Sequence, residues 1–533
     1  MELKNLFRIS LVAAAVSLTA CGGDINITPT VNDNSTTDNS VGDNSNNVTN
    51  NGGGTTEEEV ICASYTTDAG TVEGTVAGND CLYNDSFASA NISITSNITF
   101  EELPNGGVHV FEEALQIGED GDTTAGFVVP TNGPTMTVKP GATLAFESGE
   151  AIIRIARGAK IQAVGTLEKP ITFTSAFAFD RFDDVGNGAR YADWGGIIIN
   201  GNGITDQCSD ALRDAGTCNV VSEGIPSYFG CNDNADSSGS IKYAKIWYAG
   251  SGPRENGGGD DLNSLTLNAV GSGSSFEYIH VHQGFDDGVE IFGGAADLAY
   301  IAVTDTQDDS FDLDAGWQGD AHHLFVMHGS VTLADGSIAN MGNGGFEADG
   351  LKGSSADDTR DGFVPTISNV TIITTDTESV RDGDDSRAMK FDDYFNANFQ
   401  NVLLVKDAGT MTQCISFSTD GQKQADKITF VGSTMACAEE FNNDPAEFGA
   451  DAPAALVGSQ MTAWFDNSGA NVRLGSSSDV LAENGFATNT ASTNLAAPSA
   501  DAVSNYVGAV SDQDTTSNWY QWVEMAVTAA KAD

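Results

Sequence analysis

The stretch Asp286–Gly294, DDGVEIFGG, returns 22 residues later as Asp308–Gly316, DDSFDLDAG. Acid falls on acid at 286/308, 287/309 and 290/312, and apolar falls on apolar at 289/311 and 291/313. The match continues upstream, with Tyr278-Ile279 over Tyr300-Ile301 and Val281 over Val303. A 22-residue period is too short for a propeller blade, and the helix that a leucine-rich repeat carries is missing. It fits one turn of a right-handed parallel β-helix, three short strands per coil. Strand-and-turn spacing alone would also permit a large antiparallel sandwich, but the superposition favours the solenoid.

The rest of the chain agrees with an all-β reading. From residue 135 it is a series of short β-branched runs, such as Thr135-Met136-Thr137-Val138, Gly196-Ile197-Ile198-Ile199 and Asn401-Val402-Leu403-Leu404-Val405, separated by Gly, Asn and Asp. Sixty glycines supply tight corners. A solenoid needs covered ends. The segment 60–134 is expected to cap one end, residues 135–440 to form the coils, and residues 441–533 to add final rungs and an amphipathic helix near Asn518–Val527 that covers the open rung.

The N-terminus is a targeting segment. Lys4 and Arg8 precede an apolar run from Leu11 to Ala20 that is too short to span a bilayer. Its end, Leu18-Thr19-Ala20-Cys21, resembles the bacterial lipobox, which implies cleavage after residue 20 and lipidation of Cys21. Gly22 follows in place of the Asp that retains such proteins in the inner membrane, so the resemblance implies the outer membrane, on its periplasmic or cell-surface side. Residues 21–59 are the lipidated Cys and a tether rich in Asn, Asp and Thr that cannot bury a core; its flexible part has a reach of roughly 30–35 Å.

Lys and Arg number 23 against 75 acids, a net charge of −52. Phosphate backbones need clustered basic residues, so nucleic acid is excluded as a partner. The same charge repels polyanions and draws divalent cations. Export makes disulfides plausible. Cys62 and Cys81 can close the first folded segment, and Cys414 and Cys437, one coil plus one residue apart, fall on adjacent rungs within disulfide reach. Among Cys208, Cys218 and Cys231 any two can pair.

Several segments resemble a family of bacterial exported β-helix proteins, mostly lipoproteins. They include Gly165-Thr166-Leu167-Glu168-Lys169-Pro170-Ile171-Thr172-Phe173, Trp194-Gly195-Gly196-Ile197-Ile198, DDGVEIFGG and Asp308-Asp309-Ser310-Phe311-Asp312. The resemblance covers roughly residues 135–350 and implies fold and export, not an activity.

Strand alternation turns Val289, Ile291, Phe311 and Leu313 into the coil. Glu290, Asp312 and Asp314 then point outward, with the paired acids 286/287 and 308/309 at the preceding corner. Carboxylates stacked near 5 Å repel by ~3 kcal/mol per pair at an effective dielectric of 20, so a compensator is expected. Ca²⁺ is the simplest, with Asp286, Asp287, Glu290, Asp308, Asp309, Asp312 and Asp314 as ligands. Asp305, Glu347, Asp349, Asp384, Asp385, Asp392 and Asp393 recur nearby; a solvated acidic face is the plain alternative.

A second resemblance is partial. Asp286-Asp287, Asp308-Asp309, His328-Gly329, and Arg387 with Lys390 follow the order of motifs in polygalacturonase-type glycoside hydrolases. That implies Asp287, Asp308, Asp309 and His328 as catalytic candidates for an inverting reaction between paired carboxyls. The motifs depart from the family's at Phe285-Asp286, at Met327 and in the spacing of Arg387 to Lys390. His280, His282, His322, His323 and His328 offer imidazoles to a transition metal, and Trp194, Trp247, Tyr248 and Trp317 offer either a sugar platform or interior filling. The expected role is binding or surface structure: glycan capture, adhesion, or service to an outer-membrane receptor. A glycan-active enzyme is the alternative.

Overall fold

The computed structural model describes residues 59–224, 226–252, 261–351, 363–375, 377–381, 386–392, 395–406, 413–417, 427–441, 458–467, 470–475, 480, 495–511 and 514–532. The signal segment, Cys21 and the tether up to residue 58 lie outside them. The described chain winds as a parallel β-helix. Each coil lays down three strands in turn, and each strand pairs in parallel with its counterpart one coil on. In the central coils the first and second strands form one bent element: Ser275–His282, Leu298–Thr304, Ala321–Met327, Thr366–Thr374 and Ala397–Lys406. The third strands form a separate ten-stranded sheet that includes Leu265–Asn268, Val289–Phe292, Asp309–Asp314, Gly344–Ala348 and Arg387–Phe391.

Register follows the repeat. Val289 lies over Phe311, Phe346 and Met389, and Ile291 over Leu313, Ala348 and Phe391. All are buried in one continuous core, where the rings of Phe311 and Phe346 stack at 4.9 Å. Trp194 and Trp317 belong to this interior too: Trp194 stacks on Phe146 at 4.6 Å, and both indole N–H groups donate to backbone carbonyls.

The bend between first and second strands is made by one left-handed residue per coil, in register: Tyr243, Tyr278, Tyr300, His323, Asn369 and Asn401, with φ from 49° to 57°. L-residues pay roughly 1–2 kcal/mol for this conformation. The stacking offsets it: Tyr243, Tyr278, Tyr300 and His323 lie ring on ring at 4.4, 4.6 and 4.8 Å. The asparagines gain hydrogen bonds instead. Asn401 donates to Ser504 O at 2.8 Å and accepts from Ser499 N at 2.6 Å, and Asn369 accepts from Ser504 N at 2.9 Å.

The ends differ from the sequence-based expectation. Parallel pairing starts well before residue 135, with Asp80–Tyr83 on His109–Phe111 and Ser93–Ile94 on Leu115–Ile117. These strands are too short to display a period. Ahead of them a hairpin, Ser64–Thr67 with Gly70–Glu73, is tied down by Cys62–Cys81. At the other end the core is covered by the helix Gly458–Asn467, whose Trp464 sits edge-on to Phe417 and Phe430 at 5.3 and 5.6 Å. The helix Asn518–Ala530 is present and amphipathic, but it lies along the side wall. It buries Trp519, Trp522, Val523, Ala526 and Val527 against outward apolar residues of the second face, among them Ala302, Phe325 and Leu403. Those outward positions would otherwise face water, which is why the helix goes there rather than to an open rung.

Cys414 and Cys437 are bonded, Cα to Cα 6.3 Å, and join the last coils. Cys208 bonds Cys218, and among the described residues no cysteine is a free thiol. No described helix is long and apolar enough to cross a membrane.

The bend column yields a test. Asn401→Ala should cost about 2–4 kcal/mol, from left-handed strain plus the lost hydrogen bonds to Ser499 and Ser504. Asn401→Gly keeps the bend and should cost about 1 kcal/mol less. Denaturant unfolding of the two variants checks the order; equal losses would mean the bend carries no strain.

Candidate functional site: an acidic trench on the third face

The outward column of the third sheet runs Thr266, Glu290, Asp312, Glu347, Lys390. Beside it, at the corner where the chain enters the sheet, a second column is built by side chains standing in for backbone acceptors. Asp287 N donates to Asn263 Oδ1 at 3.1 Å, and Asp309 N donates to Asp287 Oδ1 at 3.0 Å. The next position is Gly344, where a Cβ would lie 1.9 Å from Asp309 Oδ1. Only glycine leaves room for that carboxyl. Together the two columns line a trench of about 410 Å³ whose surface is almost wholly polar.

Nine carboxylates line it against two cations, Arg387 and Lys390. A third cation stands at the mouth. Arg381 reaches back from a later loop to Asp286 Oδ1 at 2.9 Å and Asp308 Oδ2 at 2.8 Å, and also bonds Asp261. Lys390 pairs with Glu347. The charge compensator expected from the sequence is therefore in part internal.

Three further acids of the trench hold their protons more tightly than free carboxyls do. Burial, with the neighbouring carboxylates second, pushes Asp287, Glu290 and Asp309 well above the usual carboxylate range. Burial raises Asp286 as well, to about 7, against the pull of Arg381. Glu347 goes the other way: Lys390 overcomes its burial and holds it below the ordinary value. The carboxyls of Asp309 and Glu347 lie close enough to act on each other directly, which pushes the first up and the second down. Oxygens of Asp286, Asp287 and Asp308 come within 4.8 Å of one another, as do those of Asp287, Glu290 and Asp312, and those of Glu347, Asp349 and Asp392. The first two groups share Asp287. These are the residues able to hold a metal ion.

Six of the seven acids expected as ligands therefore meet in one place. The seventh, Asp314, does point outward, in register with Phe292. It is fully buried, however, and lies outside the trench, because an excursion between residues 201 and 238 packs over that edge, Asp206 N donating to Ala315 O. His328 is not a trench residue either. It is buried behind the corner, its Nε2 sharing a hydrogen bond with Ser310 Oγ at 2.8 Å and its Nδ1 one with Ser386 Oγ, and burial lowers it to about 3. Asp305 is buried at another corner; Asp384, Asp385 and Asp393 lie outside the described residues. The other histidines are occupied: His280 accepts from Trp247 Nε1 and, like His282, bonds Thr304 Oγ1, while His322 and His323 bond each other. No metal-capable group among the described residues includes a histidine.

Sequence reasoning missed Arg381, Asn263, Asn343 and Glu223. They come from loops of unequal length, where no periodic signal exists. Arg387, Lys390 and Glu347 were visible only as fragments of motifs.

The pH dependence has a fixed sign. An acid whose folded pKa is raised binds more protons native than unfolded, so stability falls as pH rises. The loss should begin near the unfolded value of ~4 and run through about 7 for Asp286, with Asp287, Glu290 and Asp309, all raised, adding to it in the same direction. In chelator the melting temperature should therefore drop steadily from acid to neutral pH, and Asp287→Asn should flatten the slope. A flat or rising profile would show that the trench carries no excess protons.

A family model described as a pectate-lyase-like β-helix domain matches residues 114–473. No curated protein and no solved structure matches the chain. Such a domain fits a polysaccharide-related role, as binder or as enzyme. With well over half of its length matched, the chain belongs to the pectate-lyase-like β-helix domain family.

Proposed function

We propose that the protein is a polysaccharide-binding β-helix, tethered to the outer membrane through Cys21, whose trench works loaded with Ca²⁺. The observation that carries this is the pair of carboxylate triads that share Asp287. Ca²⁺ takes six to eight oxygens in a flexible shell, and the triads with the side-chain oxygens of Asn263 and Asn343 form an all-oxygen donor set. One divalent ion supplies the charge that the acids otherwise take up as protons. It also leaves coordination positions for hydroxyl or carboxylate oxygens of a glycan, and reverses the local repulsion that so acidic a wall exerts on an acidic chain. The trench has no aromatic residue in its lining, so sugars would be held there through the ion and through hydrogen bonds. An outer-membrane receptor is the partner that the tether and the long wall suit best.

A second reading is favoured by the Asp309–Glu347 pair. A neutral carboxylic acid at Asp309, with the Glu347 carboxylate, Lys390 and Arg387 close, is the kind of group from which a glycan-cleaving enzyme draws its general acid. It replaces the set Asp287, Asp308, Asp309 and His328: Asp308 is engaged by Arg381, and His328 lies outside the trench.

Calorimetric titration of the mature chain with Ca²⁺, followed by thermal unfolding, tests the main reading. Saturable binding is expected, with about 2.7 kcal/mol of added stability at a hundredfold excess over Kd, largely lost in Asp287→Asn. Absence of binding at neutral pH would overturn it. A polysaccharide screen for new reducing ends separates binder from enzyme: turnover abolished by Asp309→Asn would establish the second reading.

A further inference from the structure

On another side of the coil, at the bend between first and second strands, a second cavity of about 250 Å³ opens beneath the start of the C-terminal helix. It shares no residue with the trench. Tyr278 and Tyr300 of the bend column form one wall, their rings stacked at 4.6 Å. Trp519 stands across them, at 74° and 60°, with centroids 6.4 and 5.6 Å away. The rim carries Ser504, Ser511, Ser517 and Asp514.

The polar groups of this lining are specific. Ser517 caps the helix by accepting from Tyr520 N, while the amides of Asn518 and Trp519, two and one positions earlier, have no acceptor within the helix. His323 bonds Ser504 Oγ and Tyr506 OH at 3.0 Å each, and burial lowers it to about 3, so it stays neutral. Among the described residues the hydroxyl of Tyr300 has no hydrogen-bond partner. Asp514 is the one formal charge in the lining. The nearby ammonium of Lys242 is spoken for by Glu277, at 2.7 Å.

These features select a ligand class. Without a cationic side chain and with a carboxylate on the rim, the cavity disfavours anions. A quaternary ammonium needs an open ring face, and the faces of Tyr278 and Tyr300 are covered by the stack that runs from Tyr243 to His323; it would also leave the Tyr300 hydroxyl and the two helix amides unanswered, which is costly where they are shielded from water. A sugar ring suits the lining better: its C–H patches pack against the edges of Tyr278 and Tyr300, and its hydroxyls reach the Tyr300 hydroxyl, the amides of Asn518 and Trp519 and the carboxylate of Asp514. The volume suits a single ring rather than a drug-sized molecule. We infer that this cavity is a second carbohydrate subsite, taking one uncharged pyranose ring without the help of a metal ion. It goes beyond the reading of the trench and does not depend on it.

The test uses the full mature chain in the presence of chelator. Methyl glycosides of glucose, galactose, mannose and N-acetylglucosamine are titrated by saturation-transfer NMR and by tryptophan fluorescence, with tetramethylammonium as the rival probe. At least one glycoside should bind saturably and perturb tryptophan emission. Tyr300→Phe, which keeps the ring stack, and Asp514→Asn, on the exposed rim, should each weaken it at least about fivefold, the loss of one hydrogen bond. No glycoside binding, binding undiminished in the two variants, or saturation by tetramethylammonium alone would overturn the inference. Chelator keeps the outcome separate from that of the trench, whose reading fails or stands on Ca²⁺ alone.

Discussion

Parallel, in-register stacking at about 4.8 Å is the constraint from which the rest of this molecule follows. A residue type that recurs in the sequence must lie on its own copy. Inside the coil this is favourable, and Phe311 on Phe346 or Ile291 on Leu313 builds the core. Outside, the same rule forces Glu290 onto Asp312 and Asp312 onto Glu347, at a repulsive cost that a freely chosen surface would avoid. At the bend it piles tyrosine on tyrosine, and the stacking holds the left-handed backbone in place. The two cavities are thus products of one geometry, a column of acids on one face and a column of rings at a corner.

Compensation along the acidic column is uneven, and the unevenness gives the trench a direction. Lys390 ends the column and holds Glu347 ionised. Arg381 serves the corner acids Asp286 and Asp308 from outside. Glu290 is furthest from Lys390, and Glu223 approaches it as well, the largest of the like charges acting on it. Its contact with the side-chain amide of Asn263 is a dipole's help, not a counter-charge. One end of the trench is therefore a salt-bridged carboxylate, and the other holds Glu290, whose carboxyl burial pushes well above the usual range.

The part of the fold legible in sequence was the part with constant coil length. From Val289 to Phe311 is 22 residues, but from Phe311 to Phe346 is 35 and from Phe346 to Met389 is 43. Loops of free length destroy the period while the rungs persist, so Glu347 and Lys390 did not announce themselves as members of the same column. Alternation correctly turned Asp314 outward, yet could not reveal that a distant excursion covers it. Arg381 arrives from such a loop and carries no pattern at all. The covering helix did leave a trace: Met461, Trp464 and Phe465 have helical spacing, and all three pack on the core. In so short a segment that trace was weaker than the longer amphipathic run at the C-terminus. The tyrosine match at 278/300 was plain in the sequence, but strands alone gave no reason to expect tyrosine at a left-handed bend.

The balance between protons and a cation turns on Asp287. It belongs to both triads, its Oδ1 already accepts from Asp309 N, and among the described residues neither it nor Glu290 makes an ion pair with Arg, Lys or His. Arg381 brings one positive charge to three aspartates; it can satisfy the corner but not the interior. A proton on Asp287 neutralises one oxygen pair and still leaves Glu290 and Asp312 facing each other across one strand spacing. A divalent ion at the shared position would draw on both triads at once, and it would gain most where protons are hardest to keep, at neutral pH and above. The same carboxylates whose raised pKa values would make the metal-free wall lose stability with rising pH are those whose deprotonation would let a divalent ion bind. On the proposed reading the cation and the proton are therefore alternative occupants of one site, and the ionic conditions around the protein would decide which of them the trench holds.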